Sequence, residues 1–247
     1  YNTLVTQADN VQLYKYVVQM VSHSFGKTAT FMPKPLDKGQ GSGMHTHMSL
    51  FEGDVNAFHD SGDPMGLSDT ARKFMAGVLH HAPEFTAVTN QLVNSYKRMI
   101  AGYESPVYVS WARNNRSALV RVPVHKAGKA SSTRIEYRAL DSAANPYLAY
   151  SVILAAGLKG IEESYELPRE ADDNLWSVNR AEARSSGLRQ LPQDLRQACD
   201  LMEDSDLVAD ALGEHIFEWF LRNKRSEWEL YQGRVTPFEL EQYLPVW

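Results

Sequence analysis

Hydrophobic and polar positions repeat along this chain with two different periods. In residues 8–25 the apolar positions recur at spacings of three and four, which predicts an amphipathic helix that ends at Gly26. Residues 28–32 favour an extended backbone and predict a strand, which ends at the interruption Pro33-Lys34-Pro35. The chain is therefore expected to open as a helix followed by a strand.

Period-two patterns in four later segments predict one antiparallel sheet. In residues 44–51 the alternation places apolar side chains mostly on one face, and on the other face it places His45, His47 and Ser49. Three further short strands are expected at residues 107–111, 118–122 and 133–137. The sheet should therefore have one polar face.

Helical patterns dominate the rest of the chain. Ser68 is a favourable N-cap for a helix that ends near Leu79, and Asn145-Pro146 is a favourable start for a helix that is apolar on nearly all faces. The other expected helices cover residues 82–92, 191–202 and 207–231. These patterns predict an α+β fold, in which an antiparallel sheet with one polar, active-site face is backed by helices and the C-terminal third is helical.

Composition restricts the chemistry that such a fold could carry. The 247 residues have a formal charge of −5, and no apolar run reaches the roughly 20 residues that cross a bilayer, so we expect neither a nucleic-acid nor a membrane partner. Cys199 is the single cysteine, which leaves His, Asp and Glu as metal ligands and favours Mg²⁺ or Mn²⁺. The start of the chain shows no signal-like segment, and the expected location is cytoplasmic.

The strand at residues 133–137 has the most informative polar stripe. Arg134, Glu136 and Arg138 fall on one face, which a solvated edge strand would also show. A binding site is favoured because more polar side chains lie in or beside the other strands, namely His45, His47, Arg116 and Arg121. Oxygen and imidazole ligands with guanidiniums suit a metal nucleotide, so we expect these groups on one face. The remaining histidines are interpreted as structural: His23, His59, His80, His81, His125 and His215.

Four ordered motifs resemble the glutamine synthetase family. Residues 34–35 with 41–50 resemble its ATP-region signature, and residues 94–98 with 102–106 resemble its substrate segment with the glutamate flap. Residues 113–118 with 121–123 resemble its phosphate-binding arginine segment, and residues 134–138 with 141–148 resemble its metal-and-nucleotide strand. The resemblance implies that residues 1–247 are the C-terminal part of a glutamine synthetase/guanido kinase-like catalytic domain, without the N-terminal β-grasp domain and the first part of the catalytic domain. The chain resembles bacterial type I members, with an actinobacterial-type and a γ-glutamylpolyamine-synthetase-like member as narrower alternatives.

The resemblance also implies a role for each motif residue. His45 and Glu136 would ligate the metal, while Glu104 and Arg116 would be catalytic. Glutamate would be bound by Gly41, His45, Arg98, Glu104 and Arg138, and ATP or its phosphates by His47, Ser49, Arg116, Arg121 and Arg134. Glu104 would close over the intermediate on a mobile loop, residues 100–106, and accept a proton from ammonium.

Two positions depart from the family pattern. Gln40 stands where the signature has an asparagine before its glycine-rich turn. This difference affects the geometry of the loop on the side that faces the substrate. Trp176 matches the position of a tyrosine that accepts a regulatory adenylyl group in the enterobacterial type. Adenylylation at this position is therefore chemically impossible.

The reaction that the resemblance implies is an ATP-dependent ligation. A glutamate–ammonia ligase would form γ-glutamyl phosphate from glutamate and ATP and amidate it with ammonia. Two alternatives stay open: a glutamate–amine ligase that uses a polyamine or another amine, and a non-catalytic homologue with an assembly or regulatory role. The parent protein would be a homo-oligomeric ring, a dodecamer, whereas the isolated chain would be monomeric or a smaller oligomer. We expect this chain alone to be inactive, because most metal ligands lie upstream in the family.

Overall fold

The computed structural model describes residues 2–101, 105–124, 129–171, 175, 178, 180–185 and 187–246. Its helices in chain order are α1 (Leu4–Ser24), α2 (Asp69–Thr89), α3 (Ser95–Arg98), α4 (Pro146–Glu162), α5 (Arg180–Ser185), α6 (Leu195–Glu203), α7 (Asp206–Leu212), α8 (Glu214–Gln232) and α9 (Pro237–Tyr243). Its strands are β1 (Thr46–Met48), β2 (Phe51–Glu52), β3 (Val55–Asn56), β4 (Trp111–Ala112), β5 (Val120–Arg121) and β6 (Ile135–Tyr137). Within these ranges no helix is both long enough and apolar enough to cross a membrane.

The main sheet has four short strands in the order β1-β6-β5-β4. β6 pairs antiparallel with β1 and β5, as the alternation predicts, and β2 and β3 form a separate hairpin. The prediction that every pair is antiparallel is wrong at β4, which runs parallel to β5. The parallel pair forms because residues 113–119 return the chain to the start of β4 instead of making a tight hairpin turn.

The strand predicted at residues 28–32 does not form. Extended backbone becomes a strand when a neighbouring strand pairs with it, and the described residues supply none here. Instead the Phe31 carbonyl accepts a 3.0 Å hydrogen bond from the Ser142 hydroxyl, and the Phe31 ring packs edge-on against Tyr14 of α1.

Local sequence signals predict the first residues of α2 and α4 correctly, but they do not predict that α2 continues past Leu79. The Ser68 hydroxyl caps α2 and the Asn145 side chain caps α4, both as predicted. The two helices predicted between residues 68 and 92 are one, because α2 continues through Pro83. Proline cannot donate to the carbonyl four residues before it, and that Leu79 carbonyl instead accepts a 3.0 Å hydrogen bond from Arg189.

The helix predicted over residues 207–231 is divided into α7 and α8. The division is at Gly213, whose φ of +75° lies in the left-handed region that glycine tolerates best. Three further helices, α3, α5 and α9, were not predicted. The sequence signal for α9 is Thr236 with Glu239 three residues later, which together make a capping box around Pro237.

Glycines of α2 and α4 bring the two helices into close contact in the core. A Cβ on Gly77 would overlap the Ala156 carbonyl oxygen, and a Cβ on Gly160 would lie 2.6 Å from the Gly77 nitrogen. The backbones of the two helices therefore touch directly. This contact fixes the separation of the helices that back the sheet.

We predict that Gly77→Ala lowers the free energy of unfolding by about 2 kcal/mol, because overpacking against backbone outweighs the better helix propensity of alanine. Urea unfolding followed by circular dichroism measures this change. Gly233→Ala is the matched control, since its Cβ would meet its nearest atom at an ordinary 3.5 Å. Equal stability of the two variants would contradict the prediction.

Candidate active site

The polar face predicted for the sheet exists, and Glu136 lies at its centre. In the register of the sheet Glu136 stands opposite His47 on one side and Arg121 on the other. One carboxylate oxygen lies 2.8 Å from His45 Nδ1, and the other accepts a 2.5 Å hydrogen bond from Arg121 Nε. Arg138 Nη1 lies 3.6 Å from the carboxylate. The prediction that these groups share one face is confirmed.

This network keeps Glu136 ionised. Burial by itself raises the pKa of the carboxyl, but the hydrogen bonds from His45 and Arg121 and the charges of Arg121 and Arg138 lower it to about 2. At neutral pH the group is therefore a carboxylate that is nearly inaccessible to bulk solvent, with its side chain 3% exposed.

A cavity of about 390 Å³ opens beside this carboxylate. The described side chains that line it include six cationic groups and one carboxylate, Glu136. The cations are Lys34, Lys97, Arg98, Arg116, Arg121 and Arg138. The chain as a whole carries a charge of −5, so this excess of positive charge is local. Such a cavity attracts polyanions.

Arg98 is a deeply buried cation of the cavity wall, and its guanidinium donates to backbone carbonyl groups. It is 7% exposed, and its Nη1 donates a 2.8 Å hydrogen bond to the Ala139 carbonyl. Burial lowers its pKa, which the Asp141 carboxylate partly offsets. In the described part of the chain no carboxylate lies within salt-bridge distance of Arg98. A carboxylate ligand in the cavity would compensate this charge.

The glycine-rich loop lies against Arg98. A Cβ on Gly41 would come within 2.7 Å of Arg98 Cγ, and a Cβ on Gly43 would collide with the guanidinium. The Met44 backbone N–H donates a 2.9 Å hydrogen bond to the Leu140 carbonyl, which anchors the loop beside β6. Glycine is therefore required here to bring the backbone of the loop onto the guanidinium.

Three residues predicted to bind ATP lie apart from the cavity wall. His47 and Arg134 form their own pair farther along the face, with 3.2 Å between Arg134 Nε and His47 Nδ1. Burial and the charges of Arg134 and Arg121 lower the pKa of His47, against the effect of Glu136. Ser49 follows β1 and does not line the cavity.

Lys34, Lys97, Gln40 and Ser105 also line the cavity, and they were not among the predicted site residues. Lys34 and Lys97 lie inside the quoted motifs, and their charge was the available signal. The Lys34 backbone is held by Asn94, whose side chain accepts from its N–H at 2.8 Å and donates to its carbonyl at 3.0 Å. Glu104 and Trp176 lie outside the described residues, as do residues 102–103 of the predicted loop.

The pair His45 and Glu136 fits a divalent metal. Two neighbouring ligands of an octahedral ion, each at ~2.1 Å, stand about 3 Å apart, and the His45 and Glu136 atoms are 2.8 Å apart. The donors are one imidazole and one ionised carboxylate, which Mg²⁺ and Mn²⁺ accept. Two protein ligands leave most of the coordination sphere to other groups.

Fold and cavity together define a catalytic domain of the α+β class, with a strongly basic site on a helix-backed sheet. Residues 1–243 match the family described as glutamine synthetase, catalytic domain. The chain therefore belongs to the glutamine synthetase family.

Curated relatives and solved structures agree with this membership. The chain is 56% identical over 244 residues to a glutamine synthetase of Mycolicibacterium smegmatis and 46% identical over 244 residues to one of Staphylococcus aureus. In both comparisons 99% of this chain is aligned, but the chain spans about half the length of the relatives, 55% and 54%. A solved GmaS–ADP complex matches with a TM-score of 0.88 and 36% identity, over 99% of this chain and 56% of that one.

We predict that Glu136→Gln removes a pH-dependent contribution to stability. The pKa of Glu136 falls from an ordinary 4.5 to about 2 on folding, so the contribution, about 3 kcal/mol, is fully present above pH 5 and is lost as the pH falls toward 2. Urea unfolding of both proteins between pH 7 and pH 3 should show their difference shrinking with acidification.

The control for this experiment is Glu170→Gln. This change removes the ion-pair partner of Arg113, which is more exposed than the arginines around Glu136. Loss of that ion pair should cost under about 1 kcal/mol. A stability difference for Glu136→Gln that stays constant across the pH range would contradict the role given to its charge.

Proposed function

We propose that the intact protein containing this chain is a glutamate–ammonia ligase that consumes ATP. The observation that carries the proposal is the cavity with six cations around one ionised carboxylate, on the sheet face where the family motifs meet. Transfer of a phosphoryl group between two anions needs nearly complete charge neutralisation, which such a cavity supplies. The GmaS structure with bound ADP supports nucleotide use by this fold.

In the proposed first step the γ-carboxylate of glutamate attacks the γ-phosphorus of ATP. The new bond joins a carboxylate oxygen to phosphorus, the bond to the ADP oxygen breaks, and ADP leaves with that electron pair. Arg116 and Arg121 would stabilise the charge on the transferred group, since both line the cavity. Arg98 and Arg138 would hold the amino acid, because both guanidiniums are buried and lie at the cavity wall.

In the second step ammonia attacks the acyl carbon of γ-glutamyl phosphate and inorganic phosphate leaves. Glu104 is proposed from the family resemblance as the carboxylate that removes a proton from ammonium. When bound at His45 and Glu136, Mg²⁺ or Mn²⁺ would neutralise phosphate charge. The polar pair Arg134 and His47, with Ser49, would contact the nucleotide beyond the cavity.

The domain boundaries and the assembly are also proposals. Residues 1–247 would be the C-terminal part of the catalytic domain, with the remaining metal ligands on the part of the parent that precedes them. The parent would assemble as a homo-oligomeric ring in the cytoplasm, where ATP and glutamate are available. The amine is the least constrained substrate, and an activity assay of the intact protein with ammonia and a panel of amines identifies it.

We predict that Arg116→Gln weakens Mg-ATP binding to this chain about tenfold, because one charge-assisted contact to phosphate is lost. Calorimetric titration with Mg-ATP gives the affinities. Arg113→Gln is the matched control: Arg113 is three residues away and pairs with Glu170 at 2.9 Å instead of lining the cavity. Equal affinity of the two variants would argue against a phosphate site at Arg116.

We predict that the 247-residue chain alone folds but does not turn over glutamate, because His45 and Glu136 supply two metal ligands where the chemistry needs a fuller set. The measurement is ADP release that depends on both glutamate and ammonia. It is made with the chain alone and with the separately expressed N-terminal half of the 56%-identical relative added. Robust turnover by the chain alone would refute the account.

A further inference from the structure

A second cluster of metal-ligating side chains lies away from the cavity, on the C-terminal half of α2. His80, His81 and Glu84 each offer one ligand atom, and these atoms all lie within 4.8 Å of one another. Among the described residues, these are the three His, Cys, Asp or Glu side chains whose ligand atoms lie close enough together to hold one metal ion. From the sequence alone, both histidines were interpreted as structural.

The cluster is held in place by residues from two other segments. His81 Nδ1 lies 2.9 Å from Glu84 Oε2, and the same oxygen accepts a 2.6 Å hydrogen bond from the hydroxyl of Ser205, the N-cap of α7. The Tyr165 ring, in the segment after α4, packs against the His80 ring with 4.9 Å between centroids. The three side chains are therefore ordered before any ion binds.

The charges and protonation of the cluster suit a cation. Burial and the neighbouring charges of His81 and Arg189 lower the pKa of His80, which favours the neutral imidazole that binds metals. Hydrogen bonds from His81 and Ser205 and the nearby imidazoles outweigh burial and lower the pKa of Glu84, so it is a carboxylate. Arg189 is a cation near the cluster and would repel a bound metal ion, but its guanidinium donates hydrogen bonds to the Leu79 and His80 carbonyls.

We propose that His80, His81 and Glu84 form a binding site for a divalent transition-metal ion of the Zn²⁺ type. Two imidazoles and one carboxylate are a known three-ligand set for zinc, with water in the fourth position. The ion would replace the proton shared by His81 and Glu84, and side-chain rotations of about 1 Å would bring the ligands to ~2.1 Å. His80 is exposed and His81 is buried, so the ion would enter from the His80 side.

The probe is Co²⁺, whose visible absorption is strong in tetrahedral sites and which replaces Zn²⁺. The experiment uses the full 247-residue chain with His45→Asn and His47→Asn, so that the cavity face contributes no imidazole. In this background we expect one tightly bound Co²⁺, displaced by added Zn²⁺. His80→Asn should weaken binding at least tenfold, and it should abolish the rise in melting temperature that Zn²⁺ causes in the background protein.

His215→Asn is the matched control, because His215 is another exposed histidine on a helix. It should leave Co²⁺ binding unchanged. Since His80 is exposed, His80→Asn should keep the circular dichroism spectrum of the background protein in EDTA, and it decides the question even where a Glu84→Gln variant fails to fold. Unchanged Co²⁺ binding in His80→Asn, or no binding by the background protein, overturns the proposal.

Discussion

The ion pairing of the Glu136 carboxylate is the interaction on which the site depends. One buried negative charge accepts hydrogen bonds from His45 and Arg121 and lies 3.6 Å from Arg138. His45 directly precedes β1, Arg121 is in β5 and Arg138 directly follows β6, so the carboxylate connects three separate pieces of chain. Without it, the charges of Arg121 and Arg138 would repel each other with no anion between them to compensate.

The helices behind the sheet determine where these charges lie. The glycine contact between α2 and α4 sets the depth of the helical layer, and Asn90, at the end of α2, donates a 2.8 Å hydrogen bond to the Ala139 carbonyl. The same carbonyl accepts from Arg98, so one oxygen joins the helical layer, the segment after β6 and a buried guanidinium. A packing contact in the core therefore reaches the cavity through two side-chain hydrogen bonds to the Ala139 carbonyl.

The excess of positive charge in the cavity also carries an energetic cost. Burying Arg98 and Arg138 removes two guanidiniums from water, and one carboxylate does not neutralise them together with the other cations of the wall. Anionic substrates would offset this cost, because their charges replace the lost hydration. The stability of the empty domain and its affinity for anions are thus coupled. The same buried cations that lower the stability of the empty domain raise its affinity for anions.

The sequence by itself determined the α+β class, the caps of α2 and α4, and the polar face of the sheet, because alternation, capping and helical period are local properties of the chain. His45 and Glu136 were predicted together because a shared face follows from period-two alternation in each strand. The parallel pairing of β5 with β4, the missing strand at residues 28–32 and the passage of α2 through Pro83 were decided by distant partners, such as Arg189 at the Leu79 carbonyl. The same holds for Lys34 and Lys97 in the cavity wall and for the cluster around Glu84, since which side chains converge depends on packing between segments far apart in the chain.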